Sequence, residues 1–196
     1  MAKIKHTKNE LKTQREALKR FQRFLPMLLL KKQQLQGEIQ SIESKLADLE
    51  EKDAAIRQSI STWIKLFSEE AGQTEAIKIE SVVLREGNIA GINIPVLEKV
   101  LMKKSSYDLY STPSWLDDAV EVMESLITIN AGKKVLYRQK ELITEELRVT
   151  TQRVNLFEKI KIPECREHIR VIKIFLGDEQ TAAVARGKIA KRRTAA

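Results

Sequence analysis

From Ile4 to Phe67, apolar residues recur at alternating steps of three and four, and this run constrains the chain more than anything else in it. With Ile4 at heptad position a, the a series is Ile4, Leu11, Leu18, Leu25, Lys32, Ile39, Leu46, Asp53, Ile60 and Phe67. The d series is Thr7, Gln14, Phe21, Leu28, Leu35, Ile42, Leu49, Ile56 and Trp63; of the 19 positions only Thr7, Gln14, Lys32 and Asp53 are not apolar. A surface helix of a compact domain would carry a broader stripe and stop within about 20 residues. One narrow seam held over more than nine heptads is that of a coiled coil, and such a seam has to be covered by another helix.

The composition agrees with long helices. Charged residues make up 32% of the 196-residue chain and aromatics 5%, with only 7 Gly and 4 Pro, which argues against many-turned β architecture. In the first helix the longest apolar run is Met27 to Leu30, far short of the roughly 20 residues needed to cross a bilayer, so no direct membrane insertion is expected. The basic N-terminus leads into no signal-peptide core, and a soluble, cytoplasmic protein is the expectation. Cys165 is the single cysteine, and His6 and His168 are the only histidines, so no disulfide and no metal site is expected. There is no Gly-rich phosphate loop and no nucleophile signature; neither a cofactor nor a catalytic residue is expected.

The net charge of +8 is concentrated at the ends. Residues 1–35 carry ten Lys or Arg against two Glu, and residues 177–196 carry five against two acids. Lys191-Arg192-Arg193 is a run of the kind that contacts phosphates, yet no aromatic interleaving or nucleic-acid module accompanies it, and no nucleic acid is expected as a partner. Dispersed lysines are ordinarily a solvated face.

Three segments follow from the pattern: an N-terminal coiled-coil helix over 1–70, a central insert over 71–112, and a C-terminal coiled-coil helix with a basic tail over 113–196. Pro26 lies inside the first helix with the heptad unbroken around it, which predicts a kink and not a break. Ala71-Gly72-Gln73-Thr74 reads as the helix stop. Ile77–Leu84 and Ile89–Ile94 read as two strands joined by the loop Arg85-Glu86-Gly87-Asn88, with Gly87 and Asn88 supplying the turn and Gly91 a close backbone approach. Pro95 to Leu101 is expected to form a short helix. The second long helix is expected near Pro113, with Thr112 or Ser114 as its cap. Its apolar residues run through Leu116, Val120, Met123, Ile127, Leu136, Ile143, Leu147, Val154 and Phe157, then Ile162, Cys165, Ile169, Ile172 and Leu176. Slips near Gly132 and Pro163 read as stutters. The fold expected is mainly α: a long antiparallel two-helix coiled coil formed by the N- and C-terminal helices, around a small central insert with a β-hairpin and a short helix.

Three separated stretches carry a family resemblance. Thr150-Thr151-Gln152-Arg153-Val154-Asn155-Leu156-Phe157-Glu158, followed by Ile162-Pro163 and Ile169-Arg170-Val171-Ile172, resembles the pattern T-T-x-R-V-N-x-L-E, I-P and I-R-x-I of the D subunits of the V-type and archaeal-type rotary ATPases. Asn88-Ile89-Ala90-Gly91-Ile92-Asn93-Ile94-Pro95 is similar to that family's N-[V/I]-A-G-[V/I]-x-L-P, and Met27-Leu28, Lys31-Lys32 and Leu35 to its L-L-K-K-K-R-x-x-L. Pro26 and the stretch Thr181 to Ala185 depart from the usual pattern.

The resemblance implies a non-catalytic central rotor shaft. Its partners would be the hexamer of A and B subunits, the F subunit, and the subunit docking on the membrane ring, with the chain peripheral to the membrane. The partner-binding residues expected are Lys12, Arg15 and Lys19, basic groups meeting acidic lips of the hexamer; Arg153 and Asn155 in the most family-like stretch; and Gly87, Asn88, Ile89 and Gly91 of the hairpin, facing the F subunit. A hairpin that merely closes the end of the coiled coil is the plainer reading of the last group. The competing function is a coiled-coil scaffold or tether with basic ends that self-associates through the same seam.

Overall fold

The computed structural model describes residues 5–62, 77–105, 113 and 115–194. Its elements are α1 (Lys8–Ile60), β1 (Ile77–Ile89), β2 (Ile92–Lys104), α2 (Leu116–Asn155), a π-helical segment (Leu156–Lys161) and α3 (Ile162–Thr194). They divide into two compact units, one of Met1–Gln33 with Arg148–Ala196 and one of Gln34–Leu147. The chain is mainly helical with a central antiparallel β-hairpin.

The heptad pattern becomes burial directly. Every a and d position from Leu11 to Ile60 is buried or partly buried, while most other α1 residues are exposed. The polar exceptions mostly have structural reasons. Thr7 caps the helix, its Oγ1 accepting the Glu10 N–H at 3.2 Å, and the Gln14 amide donates to the Glu10 carboxylate at 2.8 Å. Asp53 faces Lys133 of α2, with N···O 2.8 Å and side chains only 14% and 15% exposed. α1 runs unbroken through Pro26. It ends at Ile60, with Ser61 and Thr62 in a turn; Trp63 and Phe67, like the expected stop at 71–74, lie outside the described residues.

In the unit Gln34–Leu147 the core is Leu35, Ile42 and Leu46 from α1, Ile94 from β2 and Ile143 from α2, with Leu35 and Ile143 at 0% exposure. Burying a side chain of that size stabilises by about 1.5–3 kcal/mol. Here the two helices are antiparallel: Glu43 pairs with Lys140, Glu50 with Tyr137 and Asp53 with Lys133. The expected slip near Gly132 is not a break. A methyl at Gly132 would lie 3.4 Å from Leu49 Cδ1 and 3.9 Å from Leu97 Cδ2, so glycine lets α1 and β2 come close to α2 there.

Two expectations about the insert are corrected. The turn is Ala90-Gly91, with φ +51° and +83°, between the pairs Ile89↔Ile92 and Asn88↔Asn93. Two residues at positive φ are what a two-residue hairpin of this twist requires. The loop expected at Arg85 to Asn88 is instead strand. Pro95 to Leu101 is also strand, because β1 pairs with it on both sides of Glu98. Between Leu84↔Leu97 and Val83↔Lys99 one extra residue, Glu98, bulges from β2. The bulge resets the alternation, so Val96, Leu97, Val100 and Leu101 are all partly buried, at spacings that imitate a helix. α2 begins at Leu116, near Pro113 as expected, and the Pro113 carbonyl accepts the Leu116 N–H at 3.1 Å. Thr112 and Ser114 lie outside the described residues.

In the other unit α1 is again antiparallel to the second helical strand: Phe21 meets Phe157 with ring centroids 5.0 Å apart, and His6 meets Phe175 at 4.8 Å. Thr150, Val154, Ile162, Cys165 and Ile172 are buried. The slip near Pro163 is a π turn, in which the Ile162 N–H reaches back to the Phe157 carbonyl. Pro163 has no N–H to give and its ring crowds the preceding turn, and the wider turn absorbs both. Phe157 to Ile162 is thus five residues where the seam needs four, one extra residue taken up between two regular stretches.

Candidate functional site

Among the described residues no group of three or more His, Cys, Asp or Glu is arranged to hold a metal ion. Cys165 is buried, and burial pushes its thiol up, the direction opposite to a reactive thiolate. What the molecule offers is surface.

Lys12, Arg15 and Lys19 are all exposed on α1. In the heptad they take positions b, e and b, so all three stand on one flank of the seam, beside Lys8 and Glu16. The Lys12 ammonium is 3.9 Å from the Glu16 carboxylate, a solvated pair too open to neutralise the flank. Arg153 and Asn155 are both exposed, one residue before and one after buried Val154. Position g and position b fall on opposite flanks, so these two are not brought together. Glu164 with Lys161, and Glu167 with Arg170, form exposed pairs along the helix, and in each the carboxyl is held below its usual range by the hydrogen bond from its basic neighbour.

The hairpin residues belong to the other unit. Gly87 is the close approach: a methyl there would lie 2.8 Å from Val96 Cγ2. Gly91 is the turn residue, so the two glycines exchange the roles expected of them. Asn88 still serves the turn, its Oδ1 accepting the Gly91 N–H at 3.1 Å and its Nδ2 donating to Asn93 Oδ1 at 2.9 Å. Ile89 packs against the core, which leaves Asn88 and Gly91 as the exposed members of the set. Pro95, on β2, accepts a hydrogen bond from Gln139 of α2 and so fastens the hairpin to the helix.

Asp53 is held below the usual carboxylate range, first by the hydrogen bond from Lys133 and then by Arg57. Lys52, Ile56, Leu101, Met102, Glu124 and Ile129 are among the residues lining an open groove of about 780 Å³ in the same unit, with Glu124 paired to Lys104 at 2.9 Å.

Sequence reasoning overlooked the exposed apolar side chains Phe24, Met27, Leu156 and Ile160. The signal was present: Phe24 and Met27 are apolar residues off the a and d positions, where a closed two-helix seam does not need them.

No helix among the described residues is long and apolar enough to cross a membrane. The family model for the D subunit of ATP synthase matches residues 10–192. The V-type ATP synthase D subunit of Borreliella burgdorferi is 47% identical over 193 residues, covering 97% of this chain and 95% of that protein. The V-type ATP synthase D subunits of Chlamydia caviae and Chlamydia pneumoniae are 33% and 32% identical, covering 98% and 97% of this chain and 94% and 92% of theirs. A match of that extent, on a chain whose heptad seam and central hairpin are both present in the structure, places it in one group: the chain belongs to the ATP synthase D-subunit family, the central-stalk subunits of V-type ATP synthases.

Proposed function

We propose that this chain works as the torque-carrying shaft between a hexamer of catalytic A and B subunits and the membrane ring, in contact with the F subunit and with the subunit that docks on the ring. It performs no chemistry itself and acts at the cytoplasmic face of the membrane. The observation that carries the reading is the near-full-length match to V-type D subunits. Each unit supports it, because the α1 seam is covered by the chain's own second helical strand, at Phe21 and Phe157 in one unit and at Asp53 and Lys133 in the other. A seam covered internally is not left open for a second copy, which speaks against the self-associating scaffold.

Lys12, Arg15 and Lys19 supply a one-sided basic strip. Contact between such a strip and acidic lips can be remade at each step of rotation without deep interlocking. The hairpin tip at Asn88 and Gly91 is offered to the F subunit. Native mass spectrometry of the chain co-expressed with its A, B and F subunits tests the reading. One copy inside an A₃B₃ hexamer with one F is expected, and a stable homodimer that ignores those subunits would overturn it. Neutralising Lys12, Arg15 and Lys19 together is expected to flatten the salt dependence of assembly; an unchanged slope refutes the electrostatic part alone.

A further inference from the structure

In the unit of Met1–Gln33 with Arg148–Ala196, the two flanks of the helix pair differ. The e and b flank carries Lys12, Arg15, Lys19 and Asn155, with Leu29 as its exposed apolar residue. On the other flank Phe24 and Met27 occupy g and c of α1. Leu156 and Ile160 stand on the matching side of the opposing strand, counted from the Phe21–Phe157 contact, since g faces g in an antiparallel pair. They are 48%, 62%, 40% and 54% exposed. That is a patch on the order of a few hundred Å², the size at which exposed apolar surface on a soluble chain marks an interaction site. The wide turn at Leu156–Lys161 serves the same face: it returns Ile162 and Cys165 to the seam while leaving Leu156 and Ile160 outside it.

We propose that this face binds one amphipathic helix of a partner subunit, with an apolar stripe flanked by carboxylates. Two side-by-side helices leave a groove along their flank into which a third helix packs its ridge, which is the geometry of a three-helix bundle. The rim is basic, with exposed Arg20 at c and Arg153 at g. Carboxylates on the incoming helix would complement it. A second copy of this face would set Arg20 and Arg153 against themselves, so self-pairing is disfavoured by charge. The one-sidedness fits a single partner on a single flank. Arg153 then has a definite role, as a rim cation of this groove. The inference rests on the reading of the chain as one subunit of a complex.

The test uses the co-expressed complex. A photo-crosslinking amino acid at position 27 is expected to join one partner subunit through a helical, acid-flanked peptide. Met27→Glu combined with Ile160→Glu is expected to lower that subunit's occupancy about tenfold, the scale of buried apolar anchors in an interface. Both positions are at least half exposed, so the free chain's thermal unfolding should be unchanged. Arg20→Glu with Arg153→Glu provides a second variant, expected to weaken the same subunit most at low salt. Crosslinks to another copy of this chain, to a non-helical surface, or to nothing in an assembled complex would overturn the proposal. Failure of the shaft reading would look different, as absence of the hexamer whatever stands at position 27.

Discussion

Gly87→Ala isolates a single steric contact. Gly87 does not sit at positive φ, so alanine meets no backbone penalty there; the new methyl would instead lie 2.8 Å from Val96 Cγ2 and 3.5 Å from Ile94 Cγ1. Val96 is partly buried against the core of Leu35, Ile42, Leu46, Ile94 and Ile143, so its methyl cannot move freely. Overpacking of this kind costs about 1–3 kcal/mol. The gain from a less flexible unfolded chain is about 0.4–1 kcal/mol, so the net loss should be about 1–2 kcal/mol. For a chain of this length that corresponds to about 2–8 °C in Tm. Val96→Ala alone removes two partly buried methyls and should cost about 1–2 kcal/mol. The double variant removes the clash along with the methyls and should cost hardly more than Val96→Ala, leaving a coupling of about 1–2 kcal/mol. Urea unfolding followed by circular dichroism supplies the four free energies, and amide exchange across β1 and β2 checks that the loss is in the hairpin. Costs that add to within about 0.5 kcal/mol would refute the reasoning, since independent sites add to that precision.

Two further outcomes follow from local geometry. Ala90 holds φ +51° without the tolerance of glycine or asparagine, so Ala90→Asn should stabilise by about 0.5–1 kcal/mol, read as a higher urea midpoint with unchanged slope. Asp53 has its carboxyl lowered in the folded chain, so its contribution is present above the unfolded value near 3.8 and is lost as pH falls through the folded one. Stability should therefore fall on acidification below about pH 4, and Lys133→Met should make that acid limb shallower; an identical limb in both proteins would show that the pair is not its source.

The long-range pattern was legible because a coiled coil writes its burial into spacing. Leu11 to Ile60 needed no knowledge of the partner strand to be placed inside. The hairpin was legible as a hairpin and misread in detail. Gly87-Asn88 has the composition of a turn, but Gly87 is there for Val96, whose approach is a tertiary fact invisible in the local sequence. The strand through Val96, Leu97, Val100 and Leu101 looked helical because the bulge at Glu98 shifts the alternation, and a bulge has no composition of its own. Arg153 and Asn155 are exposed on opposite flanks of buried Val154, since residues two apart on a helix point to different sides. The apolar flank was missed because the heptad search asked only which residues fill the seam; Phe24 and Met27 then appeared as surplus.

The wide turn at Leu156–Lys161 also governs how this chain tolerates insertions and deletions. A helix that gains or loses one residue rotates everything beyond it by about 100°. Deleting a residue between Phe157 and Ile162 would leave the four that the seam needs, so a regular helix there would keep Ile162, Cys165 and Ile172 in their buried positions. One residue more in the regular helix beyond the turn would instead rotate the side chains after it away from the seam, unless a second wide turn took it up. Chain length in this short stretch can therefore change by one residue without resetting the angle of α3, and two chains of different length present the same faces if they take up the difference here or in an equivalent turn.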